Sequence, residues 1–227
     1  MRAGVAAPGR RVAIMQPYFA PYLGYWRLLA GVDLFVIYDC VQFPRRGWVH
    51  RNRLANARGE LDWLTLPLKP APFEARIDAV AFAHDAPQRL AERARAFPAL
   101  TQPPAAAREY LNAAPLDGGL IDYLAAQIAA ARDLFGFDCE LMRSSSLQIS
   151  AELRAQDRIL AILEAVGGTD YLNAPGGREL YDPQAFAERG VALKFLPDWQ
   201  SGYESVLQRL CDSPPEALRA EILAQTT

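Results

Sequence analysis

Residues 12–39 read VAIMQPYFAPYLGYWRLLAGVDLFVIYD, and this stretch decides the fold. Val12–Met15 is a short apolar run ended by Gln16-Pro17, the pattern of a buried strand. From Tyr22 onward, Leu23, Trp26, Leu29 and Ala30 recur at helical spacing. Pro21 suits the first turn of that helix because it needs no amide hydrogen there, and Gly31 supplies a stop. Leu34–Tyr38 is a second buried strand, closed by Asp39. A strand, a turn, a helix and a strand in just under thirty residues form a βαβ unit. That unit implies a parallel sheet with a right-handed crossover. Ligands of open parallel sheets bind beyond the carboxyl ends of the strands, here Gln16-Pro17-Tyr18 and Asp39-Cys40-Val41-Gln42.

Working outward, Trp63–Leu68 and Ile77–Phe82 read as further strands, and Cys139–Met142 and Val191–Leu196 as later ones. Residues 86–135 are rich in Ala, Leu, Arg and Gln and read as helical, with breaks at Pro98, Pro103-Pro104 and Pro115. This stretch is expected to form a helical subdomain or lid. Ala151–Val166 carries apolar residues at helical spacing up to Gly167-Gly168. The segment MRAGVAAPGRR is read as a loose lead-in to the first strand. With no repeat and no separating linker, residues 1–227 are expected to form one α/β domain, a Rossmann-like parallel sheet with flanking helices and a helical insertion in mid-chain.

A formal net charge of −2 provides no overall basic field for a nucleic-acid backbone, although a local anion site is compatible with it. Three widely spaced cysteines and two histidines match neither a disulfide framework nor paired metal-ligand spacing, so no metal site is expected. No apolar run approaches the ~20 residues that cross a bilayer. The arginine-bearing start lacks the apolar region of a signal peptide. The expectation is a cytoplasmic protein with no membrane span.

Three clusters carry chemistry. The densest is QPYFAPYLGYW, residues 16–26. Gln16, Tyr18, Tyr22 and Tyr25 stand where a parallel sheet puts its ligand, and Gly24 permits close approach to the helix backbone. A helix N-terminus there suits a phosphate or carboxylate. The alternative is an aromatic turn packed on the core.

The second cluster is DCVQFPRRGWVHRNR, residues 39–53. Its arginines, Arg51 and Arg53 among them, are equipped to grip an anion in bidentate fashion, with Gln42 and Asn52 beside them. His50 titrates in the range of a general acid or base. A solvated arginine face with a structural histidine is the alternative, and Cys40 would need a base and a lowered pKa to act as a nucleophile. The third cluster joins Ser145 in RSSSL, Arg158 on the following helix, and the Gly176-Gly177 loop. It fits either an anion site or two ordinary turns.

Taken together, these segments resemble the WbqC-like family. The opening matches at Gln16, Pro17, Pro21, Tyr22, Gly24 and Tyr25. The next block matches at Asp33, Asp39, Val41, Gln42, Gly47, Trp48, Arg51, Asn52 and Arg53. The later block matches at Arg158, Gly168, Tyr171, Leu172, Gly176, Gly177 and Tyr181. Cys40 stands where members often have a second acidic residue, and His50 where they have Asn. The resemblance implies a role in surface-polysaccharide or related pathways, with acyl or aminoacyl transfer to an amino group. The layout is also distantly similar to the nucleotidyltransferase class with its HxGH turn, with Tyr22 and Tyr25 at the spacing of the two histidines.

The resulting expectation is a transferase that moves an acyl or aminoacyl group onto an amine of a small anionic acceptor, such as a nucleotide-linked amino sugar. The donor side admits a charged tRNA. Gln16, Tyr18, Tyr22 and Gly24 would line the pocket. Gln42, Arg51, Asn52, Arg53, Ser145, Arg158, Gly176 and Gly177 would hold substrate. His50, Asp39 and Tyr25 would act in catalysis, with His50 or Asp39 taking the amine proton. The rival readings are an ATP- and magnesium-using ligase or nucleotidyltransferase, and a binding subunit without turnover. No cofactor is otherwise expected.

Overall fold

The computed structural model describes residues 9–226, so the lead-in read for residues 1–8 lies outside the described residues. A five-stranded parallel sheet forms the centre. Its strands are β1 (Arg10–Met15), β2 (Leu34–Ile37), β5 (Glu140–Arg143), β6 (Gly168–Asn173) and β7 (Ala192–Phe195), in the spatial order β5-β2-β1-β6-β7. A separate antiparallel ribbon pairs β3 (Arg51–Ala55) with β4 (Leu61–Thr65).

Successive side chains of a strand point to opposite faces, and both faces here are apolar. Ala13, Phe35 and Ile37 enter one core, and Val12, Ile14, Leu34 and Val36 the other. On the first face pack α1 (Leu23–Ala30), α4 (Leu120–Leu134), α7 (Val206–Asp212) and α8 (Pro215–Ala224). On the second pack α5 (Ala155–Ala165) and α6 (Pro183–Glu188). This layering is the Rossmann-like α/β class expected from residues 12–39.

The chain runs from β1 outward through β2 to β5, then crosses back to place β6 on the other side of β1. The order reverses between β1 and β6, so a crevice opens there at the strand ends.

The helical stretch forms as α2 (Ala86–Ala94), α3 (Ala105–Leu111) and α4, separated near the prolines that broke the pattern. Tyr110 and Tyr123 from this stretch pack on Trp26 and Phe19, so it is built into the first core. The strand expected at Ile77–Phe82 does not form. Ile77–Ala79 is a 3-10 turn, and Ala81 and Phe82 each make an isolated bridge to a different partner, so no continuous ladder exists. The strand expected at Trp63–Leu68 is displaced to 61–65, ending before Pro67, which has no amide to donate.

The turn between β1 and α1 is pinned from far along the chain. Ala20 has φ +43°, a left-handed conformation unusual for a residue with a Cβ. Its carbonyl accepts from Asn52 Nδ2 (2.6 Å) and Ser205 Oγ (2.7 Å). Asn52 Nδ2 also donates to the Phe19 carbonyl, and the Phe19 amide donates to that of Trp48. Asn52→Ala leaves two buried carbonyls short of a donor. It is expected to lower the unfolding free energy by about 1–3 kcal/mol, read as a lower urea midpoint at unchanged slope.

Candidate functional site

Three neighbouring cavities run along the carboxyl edge of the sheet. The central one, of about 500 Å³, opens at the β1–β6 crevice and is lined by Gln16, Tyr18, Tyr22, Gly24, Tyr25, Asn173, Gly176 and Gly177, among others. A second, of about 300 Å³, lies toward the β3–β4 ribbon and shares Tyr18 and Tyr22 with the first. A third, of about 440 Å³, lies beyond β2 and shares Tyr38 with the central cavity.

The central cavity is rich in hydroxyls. Five tyrosines line it: Tyr18, Tyr22, Tyr25, Tyr38 and Tyr181. Tyr25 donates its hydroxyl to the Gln16 carbonyl at 2.9 Å and lies almost wholly buried, so it braces the turn. Burial raises the pKa of Tyr18, of Tyr22 and, further still, of Tyr25. Tyr38 is pushed up to about 12, chiefly by burial and then by Cys40 beside it. At neutral pH these phenols are therefore neutral donors, equipped to stabilise negative charge rather than to abstract protons.

Among the described residues, no carboxylate lines the central cavity or the one beside the ribbon; their charged lining residues are Arg27 and Arg53. Arg27 is fully buried on α1. It donates to the carbonyls of Gly24, Pro197 and Gln225, and its guanidinium lies 5.1 Å from the Trp199 ring. Among the described residues its Nη2 has no partner. Gly24 admits aromatic rings to the helix backbone: an added Cβ would collide with the Tyr22 ring and lie 3.0 Å from Trp199. Gly177 is likewise crowded by Asn173, whereas Gly176 faces open space.

Asp39 and His50 occupy different settings. Asp39 is fully buried. Parallel pairing of Ile37 with Arg143 brings it beside the end of β5, where it accepts from Ser144 Oγ (2.8 Å), the Ser145 amide (2.8 Å) and Ser145 Oγ (2.6 Å). This carboxylate clamps two strand ends, and neither it nor Ser145 lines a cavity of the cleft. His50 packs on Phe43, and its Nδ1 is buried without a partner among the described residues. Burial, with Arg51 and Arg93 nearby, pulls its pKa down to about 4.

The arginines divide as well. Arg51 donates to the carbonyls of Gly47 and Arg46, and its guanidinium stacks 4.2 Å from the Trp63 ring centroid. It lines none of the three cavities. Arg53 lines the ribbon-side cavity, as does Asn52. Arg158 and Gln42 line the third, together with Arg76, Arg154, Glu74 and Cys40. Arg158 is buried without a carboxylate partner, donating to the carbonyls of Ser150, Ala151 and Leu153 and to Cys40 Sγ at 3.3 Å.

The profile of the WbqC-like protein family matches residues 16–208. The chain belongs to the WbqC-like family. The match covers the cleft residues named above, from Gln16 to Tyr181, and Tyr203 of the ribbon-side cavity also lies within its bounds. An uncharacterized protein of Mycobacterium tuberculosis, Rv1507c, is 25% identical over 204 residues, 82% of each chain. No solved structure matches this WbqC-like chain. Among its described residues, no helix is long and apolar enough to cross a membrane.

Several cleft residues were not singled out from the sequence. Tyr38 read only as the end of a strand and Arg27 as part of a helix, and Asn173 carried no reading of its own. The one local signal was Arg27, a lone charge inside the apolar helix run LGYWRLLA.

The depressed His50 pKa has a signed consequence. Between pH 6.5 and about 4 the unfolded chain binds a proton at this position that the folded chain does not. The stabilising contribution is complete above pH 6.5 and is lost as the pH falls through that window. Unfolding curves at pH 7 and pH 5 should therefore show a smaller loss of stability for His50→Gln than for the wild type.

Proposed function

We propose that the chain is a transferase that moves an acyl or aminoacyl group onto an amine of a small anionic acceptor, such as a nucleotide-linked amino sugar, in polysaccharide or related biosynthesis. The observation that carries this reading is the central cavity itself: a crevice at the strand-order reversal, lined by neutral phenolic donors and an arginine, and free of carboxylates among the described residues. Such a lining suits a ligand that arrives negatively charged and a reaction that develops negative charge on oxygen.

In this reading the acceptor amine attacks the donor carbonyl. The new C–N bond forms as the carbonyl electrons move onto oxygen, and collapse breaks the ester or thioester bond. One proton passes from the amine to the departing alkoxide or thiolate. Tyr18, Tyr22 and Tyr38 donate hydrogen bonds to the transient oxyanion. Gln16 and the Gly176-Gly177 loop orient the acceptor, while Arg53 and Arg158 hold its anionic parts. Asp39, through Ser144 and Ser145, and Asn52, through the Ala20 carbonyl, act as positioning residues. His50, neutral at pH 7, supports the ribbon from behind.

The test supplies the purified protein with nucleotide-linked amino sugars, together with acyl-coenzyme A or charged tRNA, and seeks an amide product by mass spectrometry. Amide formation is the expected result, and Tyr22→Phe should lower kcat by about 10²–10³-fold, the usual effect of removing one oxyanion donor. Pyrophosphate release from ATP and magnesium, with no amide formed from either donor, would instead favour the ligase or nucleotidyltransferase reading.

A further inference from the structure

The ribbon-side cavity is walled by aromatic rings. Tyr18, Tyr22, Trp48 and Tyr203 surround about 300 Å³, and Arg53 supplies the charge. Two of these rings stay in water, Trp48 at 38% exposure and Tyr203 at 66%. Exposed large aromatics gathered around one cavity have the composition of a binding hot spot.

The rings are held in place by one another. Tyr22 and Tyr203 lie 5.0 Å apart, and Trp48 is backed by Trp63 at 5.2 Å. The Arg53 guanidinium sits 5.5 Å from the centroids of both tryptophans. The arrangement presents π faces for stacking, with a guanidinium beside them for the phosphate that follows a stacked ring.

We infer that this cavity is a nucleobase subsite, and that its occupant is the base of a nucleoside diphosphate whose phosphates extend into the central cavity. The inference rests on the nucleotide-linked acceptor of the proposed reaction. Continuity supports it, because Tyr18 and Tyr22 line both cavities and a ligand stacked in one leads directly into the other. Charge supports it too. Neither lining contains a carboxylate to repel phosphates among the described residues, and a base followed by phosphates calls for π faces and donors.

Trp48 lines the subsite and is itself altered in one variant, so isothermal titration calorimetry reads the binding. The probes are uridine diphosphate, adenosine diphosphate and pyrophosphate, titrated against wild type, Trp48→Leu and Tyr203→Leu. Near-UV circular dichroism confirms that each variant keeps its buried aromatic packing. Binding of either nucleoside diphosphate, with affinity about tenfold weaker in both variants and pyrophosphate affinity unchanged, supports the subsite. It is overturned if neither nucleoside diphosphate binds, if pyrophosphate binds as well as they do, or if both variants retain wild-type affinity. Tighter binding of a short oligonucleotide ending in CCA than of either diphosphate would also overturn the small-nucleotide occupant.

The two readings fail separately. Base-dependent binding without amide formation removes the transfer reaction and leaves the subsite. Amide formation with a Trp48→Leu KM equal to that of the wild type removes the subsite and leaves the reaction.

Discussion

The cleft depends on how the turn from Gln16 to Tyr22 is held. The Ala20 carbonyl takes hydrogen bonds from Asn52 on the ribbon and from Ser205 near α7, while the Ala20 backbone sits in the left-handed region. A non-glycine residue there costs free energy, so the conformation persists because its surroundings over-determine it. Tyr25 adds a third restraint at the Gln16 carbonyl, and the Val206 amide a fourth at that of Pro21. Tyr18 and Tyr22 hang from this turn, so their directions are set by contacts made more than thirty residues away in sequence.

A second constraint is electrostatic. Buried charge is tolerated when hydrogen bonds replace hydration. Arg27 and Arg158 meet that condition mainly with backbone carbonyls, leaving their positive charge without a neutralising carboxylate contact. Asp39 meets it with Ser144 and Ser145 and so binds β2 to β5 at the edge where the cleft begins. Fixed donors therefore face the cleft, while the nearest buried carboxylate is turned to structural work.

Roles that look alike in sequence separate in space. In RNR at 51–53, alternate residues of a strand face opposite ways. Asn52 is buried against the turn, while Arg51 and Arg53 lie outside against the tryptophans. As a strand, the triplet places Asn52 and Arg53 at the ribbon-side cavity and stacks Arg51 on Trp63.

The sequence by itself determined the βαβ opening, the parallel sheet and the strand edge along which the cavities open. These follow from apolar periodicity and from Pro and Gly punctuation, which are local properties of residues 12–39. Only the tertiary structure decided that β6 lies beside β1. GTDYLN lacks the apolar run or alternation of a strand and is one because β1 and β7 pair with it on either side. That adjacency brings Asn173 and the Gly176-Gly177 loop to the cleft, and the β2–β5 register turns Asp39 into a clamp. Strand order and hydrogen-bond partners join residues more than a hundred positions apart, and no local pattern encodes which distant segment will supply the partner.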